Sequence, residues 1–143
     1  VKTFPQQFRD DMLRLFRARM ADDEDAITHL LHTLDILHDD LPESTQTRLR
    51  QFFDRYGSLI VEPYRRSSFD FGDPDFRSRL QECFEQASQL RAATGSPHFI
   101  FLNKALVGIL NLLTQLGARV DTTESLSLLN ESLADLGGSP VGR

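Results

Sequence analysis

Three histidines and one aspartate follow one another at three-residue steps near the start of the chain. They are His29, His32, Asp35 and His38. On a helix this spacing brings successive side chains within one turn of each other, and imidazole and carboxylate groups are common metal ligands. The apolar residues of the same segment point elsewhere, so these rings are expected to face water without a third strong ligand fixed opposite them. The sequence therefore favours solvated histidines over a metal site.

A second candidate for metal chemistry is Asp70, in the stretch FDFGDPDF at residues 69–76. The letters D-F-G are those that hold the catalytic magnesium in protein kinases. A site of that kind also needs an upstream catalytic loop and a phosphate-binding lysine, and this sequence contains neither. Asp73 and Pro74 instead predict that a helix opens directly after the motif, because aspartate caps helices and proline suits their first turn. Asp70 is not expected to bind magnesium.

Other catalytic signatures are missing from the sequence. It contains no glycine-rich phosphate loop, no H-E-x-x-H, no paired C-x-x-C and no serine nucleophile elbow. The lone cysteine, Cys83, cannot form an internal disulfide and is expected to be a buried thiol of a protein in a reducing compartment. We therefore predict no catalytic, cofactor-binding or metal-binding residue within this chain.

The composition is that of a folded globular domain. The chain has 143 residues, of which 40% are hydrophobic and 26% charged, enough for a real core without a disulfide or metal. Its net charge of −5 argues against a nucleic-acid partner, since phosphate-backbone binding needs surplus Lys and Arg. The chain begins with valine and shows no signal peptide, so we interpret it as a piece of a longer protein.

Apolar residues recur at steps of three and four in six segments, which predicts an all-α fold with no sheet. The expected helices cover 4–20, the segment from the acidic run 22–25 to just before Pro42, 43–61, 74–93, 98–116 and 123–136. We expect residues 1–136 to form a single helical domain and residues 137–143 a flexible tail.

The segment 98–116 is apolar almost all round, which predicts a buried central helix surrounded by the others. It is not expected to span a membrane, because Asn103, Lys104 and Asn111 interrupt it and its apolar length falls short of the ~20 residues that a bilayer requires. The sequence thus predicts a bundle of about six helices with no transmembrane helix.

Four residues of this segment form a narrow polar stripe. Lys104, Gly108, Asn111 and Gln115 are spaced four, three and four apart, which aligns them on one side of a helix. The stripe has two interpretations. It is either a strip open to solvent at which Gly108 lets a neighbouring helix approach, or a contact with another domain of the same protein.

The same segment carries a family resemblance. Residues 99–120, FIFLNKALVGILNLLTQLGARV, resemble the run F-L-x-R-x-L-x-G-x-x-x-L-x-x-x-L-x-A near the carboxyl end of AarF/UbiB-type atypical kinases. The matching residues are Phe101, Leu102, Leu106, Gly108, Leu112, Leu116 and Ala118. Lys104 stands where the family usually has arginine, which keeps the charge but not the planar fork of donors. Residues 8–18 with 23–31 are similar to the helix pair after the family's metal-binding D-F-G, and 64–76 to its middle connection.

The resemblance implies that this chain is the non-catalytic carboxyl-terminal helical part of a kinase-like protein and supports its large lobe. The parent would use ATP and magnesium in ubiquinone or other isoprenoid-lipid metabolism, in the cytoplasm and often peripheral to a membrane. The partner of this chain would be the amino-terminal kinase-like part of the same protein. The catalytic residues would lie upstream, so the chain alone is expected to be inactive.

Two interpretations of other kinds stay open. One is a free-standing helical module that binds a protein through a groove or through the basic residues of its first helix, which are Arg9, Arg14, Arg17 and Arg19. If these arginines are not a docking surface, they form a solvated face. The other is a helical bundle that holds an apolar lipid, which would require a cavity.

Overall fold

The computed structural model describes residues 3–90, 95–138 and 140–142, and these form a predominantly α-helical fold as predicted. The six helices are α1 (Gln6–Met20), α2 (Glu24–Thr33), α3 (Glu43–Val61), α4 (Pro74–Leu90), α5 (Pro97–Leu116) and α6 (Thr123–Ala134). A short 3-10 helix, Glu62–Arg65, extends α3, and two strands, β1 (Ser68–Asp70) and β2 (Arg119–Asp121), lie before α4 and after α5.

Local capping chemistry explains several helix ends. The carboxylate of Asp23 accepts a hydrogen bond from the Ala26 amide at 3.1 Å at the start of α2. Asp73 does the same for α4, and the Ser96 hydroxyl accepts from the Phe99 amide at the start of α5. Gly117 ends α5 in the left-handed conformation with a φ of 58°, which glycine adopts without steric cost.

The second helix is shorter than predicted. Periodicity suggested that it continues almost to Pro42, but α2 ends at Thr33. Asp35 then takes a left-handed φ of 63°, and the amides of Ile36 and Leu37 both donate to the Leu31 carbonyl. This turn buries Ile36 completely, so hydrophobic burial continues past the helix end and mimics a helical pattern.

The prediction of no sheet was wrong in one detail. β1 and β2 pair antiparallel, with Phe69 opposite Val120 and Asp70 opposite Arg119. Each strand has only three residues, which is too short for an alternating pattern to be recognised in the sequence. The Thr122 hydroxyl, which contacts the Pro63 and Arg66 carbonyls, fastens this two-stranded ribbon to the 3-10 helix.

The core draws on all six helices and on the turns beside them. Its largest fully buried side chains are Ile27, Leu31, Ile36, Phe76 and Leu133. Phe69 and Phe71 pack edge-on against Phe76 with ring centroids 4.9 Å and 5.7 Å away, so the ribbon adds an aromatic cluster to the base of α4.

A buried arginine joins α1 to α3. Arg19 donates to the Asp54 carboxylate at 2.9 Å and to the Phe53 carbonyl at 2.9 Å, and Asp54 also accepts from Arg50 at 2.9 Å. A Cβ at Gly57 would lie 2.5 Å from the Arg19 Nε, so the arginine can cross α3 only because that position lacks a side chain.

The expectation of a buried central helix at 98–116 was wrong. The helix forms as α5 with nearly the predicted bounds, but only Phe99, Leu110 and Thr114 are buried in it. Leu112 is 56% exposed and Leu116 is 70% exposed, so α5 lies at the surface. Uniform hydrophobicity reports how apolar a helix is and not how many neighbours enclose it, which is why the sequence misled here.

Candidate functional site

The candidate site is the outer face of α5, by which we mean the exposed residues Phe101, Lys104, Gly108, Ile109, Asn111, Leu112, Gln115 and Leu116. Its four large apolar side chains are 47%, 54%, 56% and 70% exposed in chain order. Scattered single apolar residues are ordinary on protein surfaces, whereas several on one helix mark an interaction surface. Within the described parts of the chain, Ile109, Leu112 and Leu116 therefore give this face the composition of an interaction surface.

The inner side of α5 attaches the helix to the core. The Phe99 ring lies 5.8 Å from the Phe53 ring, and Phe99 and Leu110 both belong to the buried core. Both sides of α5 thus carry large apolar side chains, although only one side is covered. The sequence therefore has no single hydrophobic stripe on α5 that would separate inside from outside.

The structure places the predicted polar stripe on the outer face of α5. Lys104, Gly108, Asn111 and Gln115 are all exposed. A Cβ built at Gly108 would find no atom within 4 Å, so the glycine does not serve packing among the described residues. Its bare backbone leaves room for another polypeptide to approach closely, which is how glycine acts at many helix contacts.

Sequence reasoning found the polar half of this face and missed the apolar half. Ile109, Leu112 and Leu116 looked like core residues because the whole helix was expected to be enclosed. The polar stripe could have revealed the exposure of these apolar residues. Asn111 and Gln115 are exposed, and their neighbours on the helix surface share that exposure.

α5 is also long and apolar enough, by length and composition, to cross a membrane. It has 20 residues, and its most apolar window has a mean hydropathy of 1.5. The argument that its apolar length falls short is therefore not supported by the observed helix. Only 17% of that window is buried in the fold, in keeping with its position at the surface.

Asp70 has a structural role in the ribbon. Its carboxylate accepts a hydrogen bond from the Gly72 amide at 2.8 Å and lies 3.3 Å from the Arg119 guanidinium. Asp70 ends a short strand, so the motif does follow a strand, which the sequence did not indicate. In the described parts of the chain, no group of three or more His, Cys, Asp or Glu side chains could hold a metal.

The histidine series does not stay on one helix. His29 and His32 lie on α2, but the helix ends before Asp35 and His38. The nearest acidic contacts are Asp39 at 3.9 Å from His32 and Asp35 at 3.9 Å from His38. The regular spacing is therefore broken at Thr33, and the structure does not bring the four side chains together as a helix would.

The arginines of α1 divide between surface and interior. Arg19 is buried and bound to Asp54, and Arg14 contacts the buried Asp11 at 3.0 Å. Arg9 is exposed, and Arg17 is half-buried. The basic face expected on the first helix is accordingly smaller than four arginines would make it.

No protein-family model matches the chain, and comparison with curated proteins and with solved structures gives no match either. The resemblance to AarF/UbiB-type kinases stays a prediction that rests on its residues, above all on 99–120. Those residues form α5 and β2, so the outer face of α5 lies within the segment that carries the resemblance.

Proposed function

We propose that this chain is the non-catalytic carboxyl-terminal helical part of an AarF/UbiB-type kinase-like protein and that the outer face of α5 packs against the kinase-like part of the same protein. The observation that carries the proposal is the exposed apolar surface of α5. The resemblance supports the identity of the partner, because the segment that carries it contains this surface.

The apolar residues of the face provide the driving force for the contact. Burying a whole leucine or isoleucine side chain stabilises by roughly 1.5–3 kcal/mol, so covering the exposed parts of Ile109, Leu112 and Leu116 would contribute about 1–2 kcal/mol each. The same face would give specificity through Lys104, Asn111 and Gln115, whose polar groups need partners once water is excluded.

The parent would supply the chemistry. In this proposal ATP and magnesium bind upstream, the parent acts in isoprenoid-quinone or lipid metabolism, and the protein is cytoplasmic and peripheral to a membrane. Asp70 is engaged with Gly72 and Arg119 at the ribbon, which fits a chain that supports a lobe rather than catalyses. The proposal that this chain is non-catalytic would be refuted if the isolated chain hydrolysed ATP with magnesium and Asp70→Ala abolished that activity.

The first experiment is to sequence the reading frame upstream of the Val1 codon. The proposal expects an uninterrupted frame that encodes D-F-G next to Val1 and a phosphate-binding lysine further upstream. A start codon immediately before Val1 would refute the kinase assignment and leave the alternative of a free-standing interaction module.

The second experiment measures whether the outer face of α5 is covered in the whole protein. Leu112→Cys, made in a Cys83→Ala background, should react rapidly with a thiol reagent in the isolated chain and at least ten times more slowly in the full-length protein. Leu128→Cys is the matched control, because Leu128 is 57% exposed on α6 and lies outside the α5 face. Equal labelling of Leu112→Cys in both proteins would contradict the proposed contact.

The alternative module would use the same face for a different polypeptide. The outer face of α5 is favoured over α1 as the docking surface, because Arg19 is buried and Arg14 already contacts Asp11. If the module binds a second copy of itself, sedimentation should show a dimer that Leu112→Glu dissociates and Leu128→Glu leaves intact. Binding to lipid vesicles that Leu112→Glu abolishes would instead assign the face to a membrane.

A further inference from the structure

A large cavity lies between α1, α3, α5 and α6, on the inner side of α5. Its volume is about 430 Å³. The cavity is partly open to solvent, and its volume falls within the range of roughly 300–1,000 Å³ typical of small-molecule sites. Its lining includes Phe8 and Met12 of α1, Ile60 of α3, Leu102 and Leu106 of α5 and Leu129 of α6.

The lining selects an apolar body. Side chains of Phe, Leu, Ile and Met make up most of the wall, so water inside would find few hydrogen-bond partners. The buried Tyr56 hydroxyl of the wall makes no hydrogen bond within the described residues, whereas Asn103 and Arg19 are engaged with the protein. The Asn103 amide donates to the Phe99 carbonyl at 2.8 Å, and Arg19 is bound to Asp54. A chain or ring of hydrocarbon fits these surroundings better than a polar molecule does.

One cation remains at the edge of the cavity. Arg9 lines the cavity and is also exposed to solvent, which places it at the mouth. Its side chain bonds to Gln6 on the same helix, and no carboxylate lies within ion-pair distance of it in residues 3–90, 95–138 and 140–142. By contrast Arg19, the other arginine of the wall, already has its counter-charge in Asp54. Arg9 is therefore suited to an anionic group on a ligand whose body is apolar.

We propose that this cavity binds a carboxylic acid with a long or ring-shaped hydrocarbon body, which fills the cavity while the carboxylate lies beside Arg9. This site is separate from the outer face of α5 and does not depend on the kinase-like parent. A hydrocarbon inside would regain the dispersion contacts that an unfilled wall lacks, and the arginine would orient the acid with its charged end toward water.

The first test compares decanoate with decanol by titration calorimetry on the complete chain. Decanoate should bind about two to five times more tightly than decanol, the effect expected of one exposed ion pair, and the difference should shrink in high salt. Arg9→Gln should lower the affinity for decanoate to that for decanol without changing the latter. Arg77→Gln is the matched control, because it removes an exposed arginine of α4 that does not line the cavity.

The second test locates the binding site. Leu106→Trp adds bulk to the cavity wall and should weaken binding of both compounds at least ten-fold, whereas Ile109→Trp adds the same bulk to the outer face of α5 and should not. Circular dichroism checks the fold, and Leu102→Phe replaces Leu106→Trp if that variant does not fold. The proposed cavity site is wrong if neither compound binds. It is also wrong if Ile109→Trp abolishes binding and the cavity variants do not. If decanoate and decanol bind with equal affinity and Arg9→Gln changes neither affinity, the proposed contact between the carboxylate and Arg9 is wrong.

Discussion

At the scale of single residues, the buried side chain of Arg19 depends on its partners. It is buried, and it bonds the Asp54 carboxylate and the Phe53 carbonyl, both at 2.9 Å. Removing the partner of a buried charge is costly because the charge is left without compensation. Nothing in the sequence paired Arg19 with a residue 35 positions away, since a single charged residue does not reveal its long-range partner.

Asp54→Asn should therefore lower the free energy of unfolding by about 1–2 kcal/mol, less than a fully buried pair would lose because Asp54 is 40% exposed. Chemical denaturation measures this change. Asp39→Asn serves as the control, because the Asp39 side chain is 98% exposed, and it should leave stability unaltered. Similar losses in both variants would mean that the Arg19 contact stabilises little.

Burial also sets the ionisation of Cys83, which the sequence correctly predicted to be a buried thiol. Desolvation raises the pKa of Cys83 to about 11 from its usual value of 9.0. The pKa of the buried Tyr56 hydroxyl is raised as well, first by burial and then by the nearby Cys83. As the pH rises, the Cys83 thiol and the Tyr56 hydroxyl therefore begin to ionise in the unfolded chain while they are still neutral in the folded protein.

The sign of the pH effect follows from these raised pKa values. The stabilisation is fully present below pH 9, where folded and unfolded thiols are both protonated, and it is lost as the pH rises from about 9 through about 11. Unfolding at pH 8 to 11 should show this decline, and Cys83→Ala should reduce its slope. Below pH 9, where both thiols are mostly protonated, thiol reagents should label folded Cys83 about 100-fold more slowly than the denatured chain, as a difference of two pKa units requires. A labelling rate equal to that of the denatured chain would contradict the burial.

At the scale of the elements, two helix-interior glycines have opposite roles. Gly57 of α3 lies beneath Arg19, whose Nε would be 2.5 Å from an added Cβ, whereas Gly108 of α5 has no atom within 4 Å of that position. Alanine favours a helix over glycine by roughly 0.5–1 kcal/mol where nothing interferes.

Gly108→Ala should thus stabilise the chain by about 0.5–1 kcal/mol. Gly57→Ala should destabilise it by about 1 kcal/mol, because displacing Arg19 from Asp54 outweighs the gain in helix propensity. Thermal and denaturant unfolding of the two variants decide the matter. A stabilised Gly57→Ala protein would show that Arg19 moves aside without cost.

The elements also show how far the sequence predicts this fold. The bounds of α3 and α5 follow from periodicity, and the structure confirms them closely. The early end of α2 and the three-residue strands were not predictable, because they depend on the burial of Ile36 and on the contact of Thr122 with Pro63 rather than on a local pattern. Which side of α5 is covered is likewise decided by its neighbours.

At the scale of the whole molecule, the two proposed sites lie on opposite sides of α5. The inner side borders the cavity with Leu102 and Leu106, and the outer side presents Ile109 and Leu112. Substitutions on one side should therefore leave binding at the other unchanged, apart from effects on α5 itself. The polar stripe of the outer face was predictable from spacing, but the cavity was not, since its walls come from several helices whose arrangement no local pattern contains.

The ribbon of β1 and β2 bears on the order of folding. The Arg119 to Asp70 contact joins residues 49 positions apart, and the segment between them contains α4 and α5. Closing a loop of that length costs about 3 kcal/mol of chain entropy, so the two strands cannot meet early unless the helices between them have already shortened the path. We therefore expect the ribbon to form late in folding, after α4 and α5 and together with the aromatic cluster around Phe76.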